Sequence, residues 1–145
     1  MVVIDPRRNS TAQAATVHLS PRIGTNVAVL NGLLALLFAH PTAVDEEYVR
    51  EHTIGVERLR DTVASYTPER VEDITDIPAA DLRAAAEVIG SAKRLLSTAL
   101  QGVYQSNQAT ASACQINSKQ SYSLARNTDQ SIRMRRYKPH PRDDW

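Results

Sequence analysis

Apolar residues near the start of the chain fall into two kinds of run, which predict two kinds of element. Residues 2–4 (VVI) are β-branched without interruption and end at Asp5, a pattern typical of a short strand buried in a parallel sheet. Residues 15–19 (ATVHL) predict a second short strand. Residues 27–39 are apolar nearly all round and predict a central helix, which His40 and the proline after it end.

Short amphipathic helices are predicted next. Residues 45–52 begin with three acids, which suit the positive end of a helix dipole. Thr67 followed by Pro68 is an N-cap with proline at the first helical position, and Pro78 and Gly90 bracket a further helix. The spacing of four apolar residues predicts one stripe of a helix between these two segments: Val56, Leu59, Val63 and Tyr66.

The segment after Gly90 predicts a return to the sheet. Residues 94–100 (RLLSTAL) read as a strand, and residues 103–117 as a loop that runs into a helix. This alternation predicts an α/β fold: a partial dinucleotide-binding-like (Rossmann-like) domain with a small parallel sheet and several helices. Ligands of such sheets bind at the carboxyl ends of strands, which directs attention to Asp5 and to residues 101–102.

Charge divides the chain at Ser118. Residues 1–117 hold 10 lysines and arginines against 13 acids, whereas residues 118–145 hold 7 against 3. Since the second segment also lacks apolar periodicity, we expect a basic, disordered C-terminal tail after a single domain over 1–117. Nucleic-acid binding by that tail is a weaker alternative, because its few aromatic residues are scattered.

Composition excludes several classes of protein. The single cysteine, Cys114, rules out an internal disulfide framework, and the four histidines show no metal-ligand spacing, so no metal site is predicted. No GxSxG, HExxH or P-loop motif is present, so no catalytic group is predicted, and a reactive Cys114 thiol is an unsupported alternative. The longest apolar run is shorter than the about 20 residues of a membrane span. We therefore expect no membrane association and favour a soluble, cytoplasmic protein, with any export signal upstream of Met1.

Two strand-adjacent groups are candidate ligand contacts. Asp5 could accept hydrogen bonds from ribose hydroxyls or from the N–H edge of guanine, and Arg7 could pair with a phosphate. Gly24 and Asn26 open the central helix, where backbone N–H groups are free for a polar ligand. Each residue also has a simpler interpretation, as a loop aspartate, a solvated charge or a helix cap. The glycine fingerprint of NAD and FAD sites is absent.

Taken together, these stretches resemble the molybdopterin oxidoreductases, a family that includes formate dehydrogenases and nitrate reductases. The resemblance covers residues 1–117 and rests on VVIDPRRNSTAQAATVHLSPRIGTNVAVLNGLLALL, on the YTPE and IPAADLR steps, and on ALQGVYQSNQATASACQIN. It implies binding of a molybdopterin guanine dinucleotide. By match to the family's pattern, six residues would contact that cofactor: Asp5 and Arg7, Gly24 and Asn26 near the guanine, and Gly102 and Gln105 near a pterin.

The departures from the family pattern imply a fragment. Asn26 stands where the family has aspartate, which keeps an acceptor oxygen but loses the charge. In the family the iron–sulfur cysteines and the molybdenum ligand precede the Asp-Pro-Arg stretch, and a glycine-rich loop follows where this chain has its tail. We therefore expect an internal segment, with a shifted reading frame near Ser118, that is not catalytic alone and that partners the remaining domains of a parent enzyme. A stand-alone helical interaction module over 45–92 is the alternative.

Overall fold

The computed structural model describes residues 1–99 and 101–124, with side chains through Ser118. Two short strands and eight helices are present in these residues. The strands are β1 (Val2–Ile4) and β2 (Val17–Leu19). The helices in chain order are α1 (Ser10–Gln13), α2 (Asn26–Ala39), α3 (Glu46–His52), α4 (Val56–Ala64), α5 (Pro68–Thr75), α6 (Ala79–Gly90), α7 (Gln101–Tyr104) and α8 (Ala109–Leu124).

The two strands form a parallel pair, as the two apolar runs predicted. Val2, Val3 and Ile4 lie opposite Val17, His18 and Leu19, respectively. The helix α1 connects the strands, and Asn9 begins it by accepting a hydrogen bond on its side-chain oxygen from the Ala12 backbone N–H at 2.9 Å. Because both strands run the same way, the residues that follow Ile4 and Leu19 meet at one edge of the sheet.

Helix α2 is the centre of the packing, which confirms the prediction from its apolar sequence. Eight of its residues are buried, and it packs against α4, α5, α6 and α8. Gly32 marks the closest approach: a Cβ built there would lie 2.6 Å from Val71 Cγ2 and 3.1 Å from Leu82 Cδ2. The predicted end is also confirmed, since His40 is the C-cap.

The core divides into two clusters on different faces of α2. The larger cluster joins the sheet to α2, α5 and α6, and Leu19, Leu33 and Leu82 are fully buried in it. The smaller cluster joins α2 to α3 and α4 through Leu34, Val49 and Val63. Three of the four residues in the predicted stripe, Val56, Leu59 and Val63, belong to or pack against this second cluster. Tyr66 lies beyond the end of α4 at Ala64 and packs against the larger cluster instead.

The strand predicted over 94–100 is wrong for its described part. Residues 94–99 have no regular secondary structure, and Leu96 is 82% exposed. A run of apolar residues becomes a strand only when another strand satisfies its backbone, and the described sheet has two strands, β1 and β2. Gln101 and Gly102 consequently lie in the helix α7 and not at a strand end. The small parallel sheet and the several helices are confirmed, and the described residues are mostly helical; the Rossmann-like arrangement stays a prediction.

The C-terminal part of the described chain is helical. Helix α8 runs through Ser118, the predicted boundary, to Leu124. The rest of the predicted tail, residues 125–145, lies outside the described residues, as does Leu100. In the described part of the chain, no helix combines the length and the apolar character that crossing a membrane requires.

Candidate functional site

Asp5 lies immediately after β1, at the carboxyl edge of the sheet, and its carboxylate is held by the loop that follows. Asp5 Oδ1 accepts a hydrogen bond from the Arg7 backbone N–H at 2.7 Å, and Asp5 Oδ2 accepts one from Asn9 Nδ2 at 3.0 Å. The side chain keeps 24% of its surface exposed, while the Arg7 side chain is 85% exposed with Nε 3.7 Å from Asp5 Oδ1. The carboxylate is therefore oriented but open to solvent.

Side chains from β2 and from the residue after it hold the backbone of the same loop. His18 Nε2 lies 2.8 Å from the Asp5 carbonyl oxygen, and Ser20 Oγ donates to the Pro6 carbonyl oxygen at 3.0 Å. The Asp5 backbone N–H also donates to the Leu19 carbonyl oxygen at 3.1 Å. These contacts join the two strand ends, so the Asp5 loop has one defined position against β2.

The loop between β2 and α2 leaves from this edge and ends at Gly24 and Asn26. Gly24 has a φ of 88°, in the left-handed region, and a Cβ built on it would meet no atom within 4 Å. Thr25 is the N-cap of α2 by position, but its hydroxyl donates to the Arg22 carbonyl oxygen at 2.6 Å instead of capping the helix. Asn26 is the first helical residue and is partly exposed.

Arg22 fixes this loop to the end of α5. Its backbone N–H donates to the Thr75 carbonyl oxygen at 2.8 Å, and its guanidinium makes two bonds to the Asp76 carboxylate, at 3.0 and 2.5 Å. The hydrogen bond from Arg22 is the main cause that lowers the pKa of Asp76, and the same bond raises the pKa of Arg22. Asp76 caps α5 in the left-handed conformation, with a φ of 64°.

Gly102 and Gln105 lie elsewhere along the chain, on and just after α7. Both residues are exposed, and the Gln105 backbone N–H donates to the Gln101 carbonyl oxygen at 2.9 Å. A Cβ on Gly102 would meet no atom within 4 Å. Helix α7 packs against α8. The structure thus groups Asp5 and Arg7 at the sheet edge, places Gly24 and Asn26 in the loop that leaves this edge, and puts Gly102 and Gln105 on a separate element.

Three residues that hold the edge were not singled out from the sequence: Asn9, His18 and Ser20. A signal existed for Asn9, since asparagine before a Ser-Thr-Ala segment is a good N-cap. The contacts of His18 and Ser20 join residues 13 and 14 positions apart, so local pattern could not reveal them.

Histidine, cysteine and acidic side chains form no metal-binding cluster among the described residues. Within residues 1–99 and 101–124, no group of three or more His, Cys, Asp or Glu side chains is placed to hold a metal ion. Cys114 is free and exposed on α8.

Comparison with known proteins identifies the class. No family model matches the chain. Formate dehydrogenase H of Escherichia coli (strain K12) is 38% identical over 93 residues, which are 64% of this chain and 13% of that protein. Nitrate reductase of Synechocystis sp. is 35% identical over 118 residues, 81% of this chain and 16% of that protein. The solved structure of acetylene hydratase from Pelobacter acetylenicus has a TM-score of 0.80 at 22% identity, over 86% of this chain and 17% of that one.

The chain is thus related to one segment of the molybdopterin oxidoreductases. This relationship confirms the resemblance seen in the sequence. The likeness to acetylene hydratase concerns the fold. The chain spans about one sixth or less of the length of these relatives, 13% and 16% for the two enzymes named.

Proposed function

We propose that this chain is part of the cofactor-binding region of a molybdopterin-dependent oxidoreductase and that it binds the guanosine portion of a molybdopterin guanine dinucleotide. The relationship to formate dehydrogenases and nitrate reductases supports the cofactor class. The position of Asp5 at the carboxyl edge of a parallel pair of strands supports the place, because nucleotides bind at this edge in α/β proteins.

The geometry of Asp5 is the observation that carries the proposal. Each oxygen of a carboxylate can accept two hydrogen bonds, and each oxygen of Asp5 accepts one from the loop. One acceptor position on each oxygen is left for a ligand. Two acceptors side by side match the paired donors of guanosine, either the N–H edge of the base or the ribose hydroxyls.

The neighbouring residues fit the rest of a nucleotide. The exposed guanidinium of Arg7 would pair with a phosphate. The space beside the Cα of Gly24 would admit the base, and the amide of Asn26 at the N-terminus of α2 would offer an acceptor and a donor to its edge. Gly102 and Gln105 would approach a pterin from α7, where Gly102 also has open space beside it.

The reaction of the parent enzyme would belong to the cofactor. Molybdopterin supplies the two-electron oxidoreduction when bound, and the protein supplies binding and orientation. We propose that this chain is not catalytic alone, that the molybdenum ligand and the iron–sulfur cluster belong to other segments of the parent, and that its partners are those segments. Nitrate or formate would be the substrate of the parent enzyme, by analogy with the relatives named above.

Nucleotide titration of the 145-residue chain tests the proposal. We expect GMP to bind more tightly than CMP, because cytosine lacks the N–H edge of guanine, as measured by calorimetry at fixed salt. Asp5→Asn should weaken GMP binding about tenfold, since it removes a charged acceptor. Asp81→Asn, which changes an exposed acid of α6, is the matched control. An unchanged affinity in Asp5→Asn would contradict the proposal. Equal binding of GMP and CMP would contradict recognition of the base and leave only contact with the ribose.

One observation favours the alternative of a protein-interaction module. Ile54 lies at the turn between α3 and α4, and its side chain is fully exposed. A large apolar side chain that is exposed between two helices is suited to contact with a protein partner. A monodisperse, cooperatively folded chain that binds no nucleotide would move this alternative to first place.

A further inference from the structure

We infer that Asn9 is a positioning residue for the nucleotide site: its amide holds the Asp5 carboxylate in the orientation that presents both oxygens to the ligand. This inference rests on the proposed function of Asp5. Asn9 comes four residues after Asp5, at the far end of the loop, and it is exposed.

The Asn9 amide acts in two directions at once. Its Nδ2 donates to Asp5 Oδ2 at 3.0 Å, and its Oδ1 accepts the Ala12 backbone N–H at 2.9 Å. The second bond anchors the amide on α1, in which Ala12 is buried and which packs against both strands. The donor that Asp5 receives is therefore attached to a fixed element and not to a free side chain.

The consequence for Asp5 is a defined rotation of its carboxylate. The Arg7 backbone N–H holds Oδ1, and the Asn9 amide holds Oδ2, so both oxygens are fixed. Without Asn9 only Oδ1 would be held, and the carboxylate could rotate about the bond to its Cβ. A ligand would then have to order the carboxylate on binding, which weakens affinity without removing any direct contact.

Two substitutions separate the donor to Asp5 from the cap of α1. Asn9→Ser keeps an N-cap acceptor for Ala12, but its shorter side chain does not span the distance to Asp5. Asn9→Asp keeps the size and the cap, lacks the donor, and sets a second carboxylate beside the first. Ser10→Asp is the control, since it adds the same charge one residue further along, at the first position of α1.

The expected result is a graded loss of GMP affinity in the full 145-residue chain. Asn9→Ser should raise the Kd for GMP about three- to tenfold, the worth of one hydrogen bond. Asn9→Asp should raise it more than tenfold, because like charges repel. Ser10→Asp should change the Kd for GMP less than about twofold. The thermal unfolding midpoint of Asn9→Ser should stay close to that of the unsubstituted chain, because the cap of α1 remains.

A double-substitution cycle distinguishes positioning from a structural role. In an Asp5→Asn background, Asn9→Ser should have little further effect on GMP affinity, since the group that it positions has been changed. An equal loss in both backgrounds would overturn the inference, as would an unchanged affinity in Asn9→Ser while Asp5→Asn binds weakly. The second result would leave the proposed function intact. Failure of the unsubstituted chain to bind GMP would overturn both the proposed function and this inference.

Discussion

Replacing Gly32 by alanine tests how tightly α2 packs against α5 and α6. The added Cβ would lie 2.6 Å from Val71 Cγ2 and 3.1 Å from Leu82 Cδ2. Both neighbours are fully buried. The valine is β-branched and stiff about its first side-chain torsion, so it cannot turn away without disturbing its own contacts. Relief of the close contact with Val71 therefore requires α2 and α5 to move apart.

The magnitude follows from two opposing effects. Alanine is favoured over glycine inside a helix by about 1 kcal/mol. Overpacking of a dense core costs about 1–3 kcal/mol, and the separation of 2.6 Å from Val71 puts Gly32→Ala at the upper end of that range. We expect the free energy of unfolding to fall by about 1–2 kcal/mol, which lowers the melting temperature by several degrees.

Urea unfolding followed by circular dichroism measures this change. Gly102→Ala in α7 is the matched control: no atom lies within 4 Å of the added Cβ, so it should keep the stability of the unsubstituted chain or gain from the helix preference of alanine. Val71→Ala alone should lose about 2 kcal/mol through the buried methyl groups. The double variant, Gly32→Ala with Val71→Ala, should lose less stability than the two single losses added together, since Val71→Ala removes the methyl group that obstructs the new Cβ. A Gly32→Ala chain at least as stable as its parent would refute the reasoning.

Two further predictions concern the elements that surround the site. The hydrogen bond from Arg22 lowers the pKa of Asp76. The stabilisation that this pair gives is therefore complete above the unfolded-state pKa of about 3.9, and it is lost as the pH falls through the lower folded-state pKa. Asp76→Asn introduces a residue that suits the left-handed conformation, and it should be less stable than the unsubstituted chain in urea unfolding at pH 7. This deficit should shrink as the pH falls below about 3.9; a deficit that does not shrink in acid would contradict the pairing. Thr67→Ala should lose about 1 kcal/mol, because Thr67 Oγ1 caps α5 by accepting the Arg70 N–H at 3.3 Å. Thr62→Ala on the exposed face of α4 should lose clearly less, and equal losses would count against the cap.

The helices could be predicted from sequence where their signals are local. The apolar run of α2 and the Thr67-Pro68 start of α5 depend on residues within a turn of each other, and both are confirmed. The strand predicted over 94–100 failed because strand formation depends on a partner, which composition does not contain. Helix α1 was missed for a related reason: four residues carry too little periodicity, and the Asn9 cap reads equally well as a turn.

The sequence predicted the place of the candidate site but not the contacts between its residues. Asp5 stood out because an acid follows directly on a buried strand, and its position at the carboxyl edge is what that pattern predicted. The contacts that give it shape come from more distant residues, such as His18, or from a short cap, such as Asn9. The bond between Arg22 and Asp76 joins residues 54 positions apart, beyond any local pattern. Contacts of Asp5, Arg7, Gly24, Asn26, Gly102 and Gln105 with a cofactor stay predictions.

Leu33 and Leu34 are neighbours on one helix, yet each belongs to a different core cluster. A rotation of α2 about its own axis that improves one cluster withdraws a leucine from the other, so the helix has a single favourable azimuth. Gly24 and Asn26 lie at the N-terminal end of this same helix, and Arg22 ties their loop to α5. The direction in which the α2 N-terminus points is therefore set by packing in the interior, and core substitutions far from Gly24 and Asn26 should still move the loop that carries them.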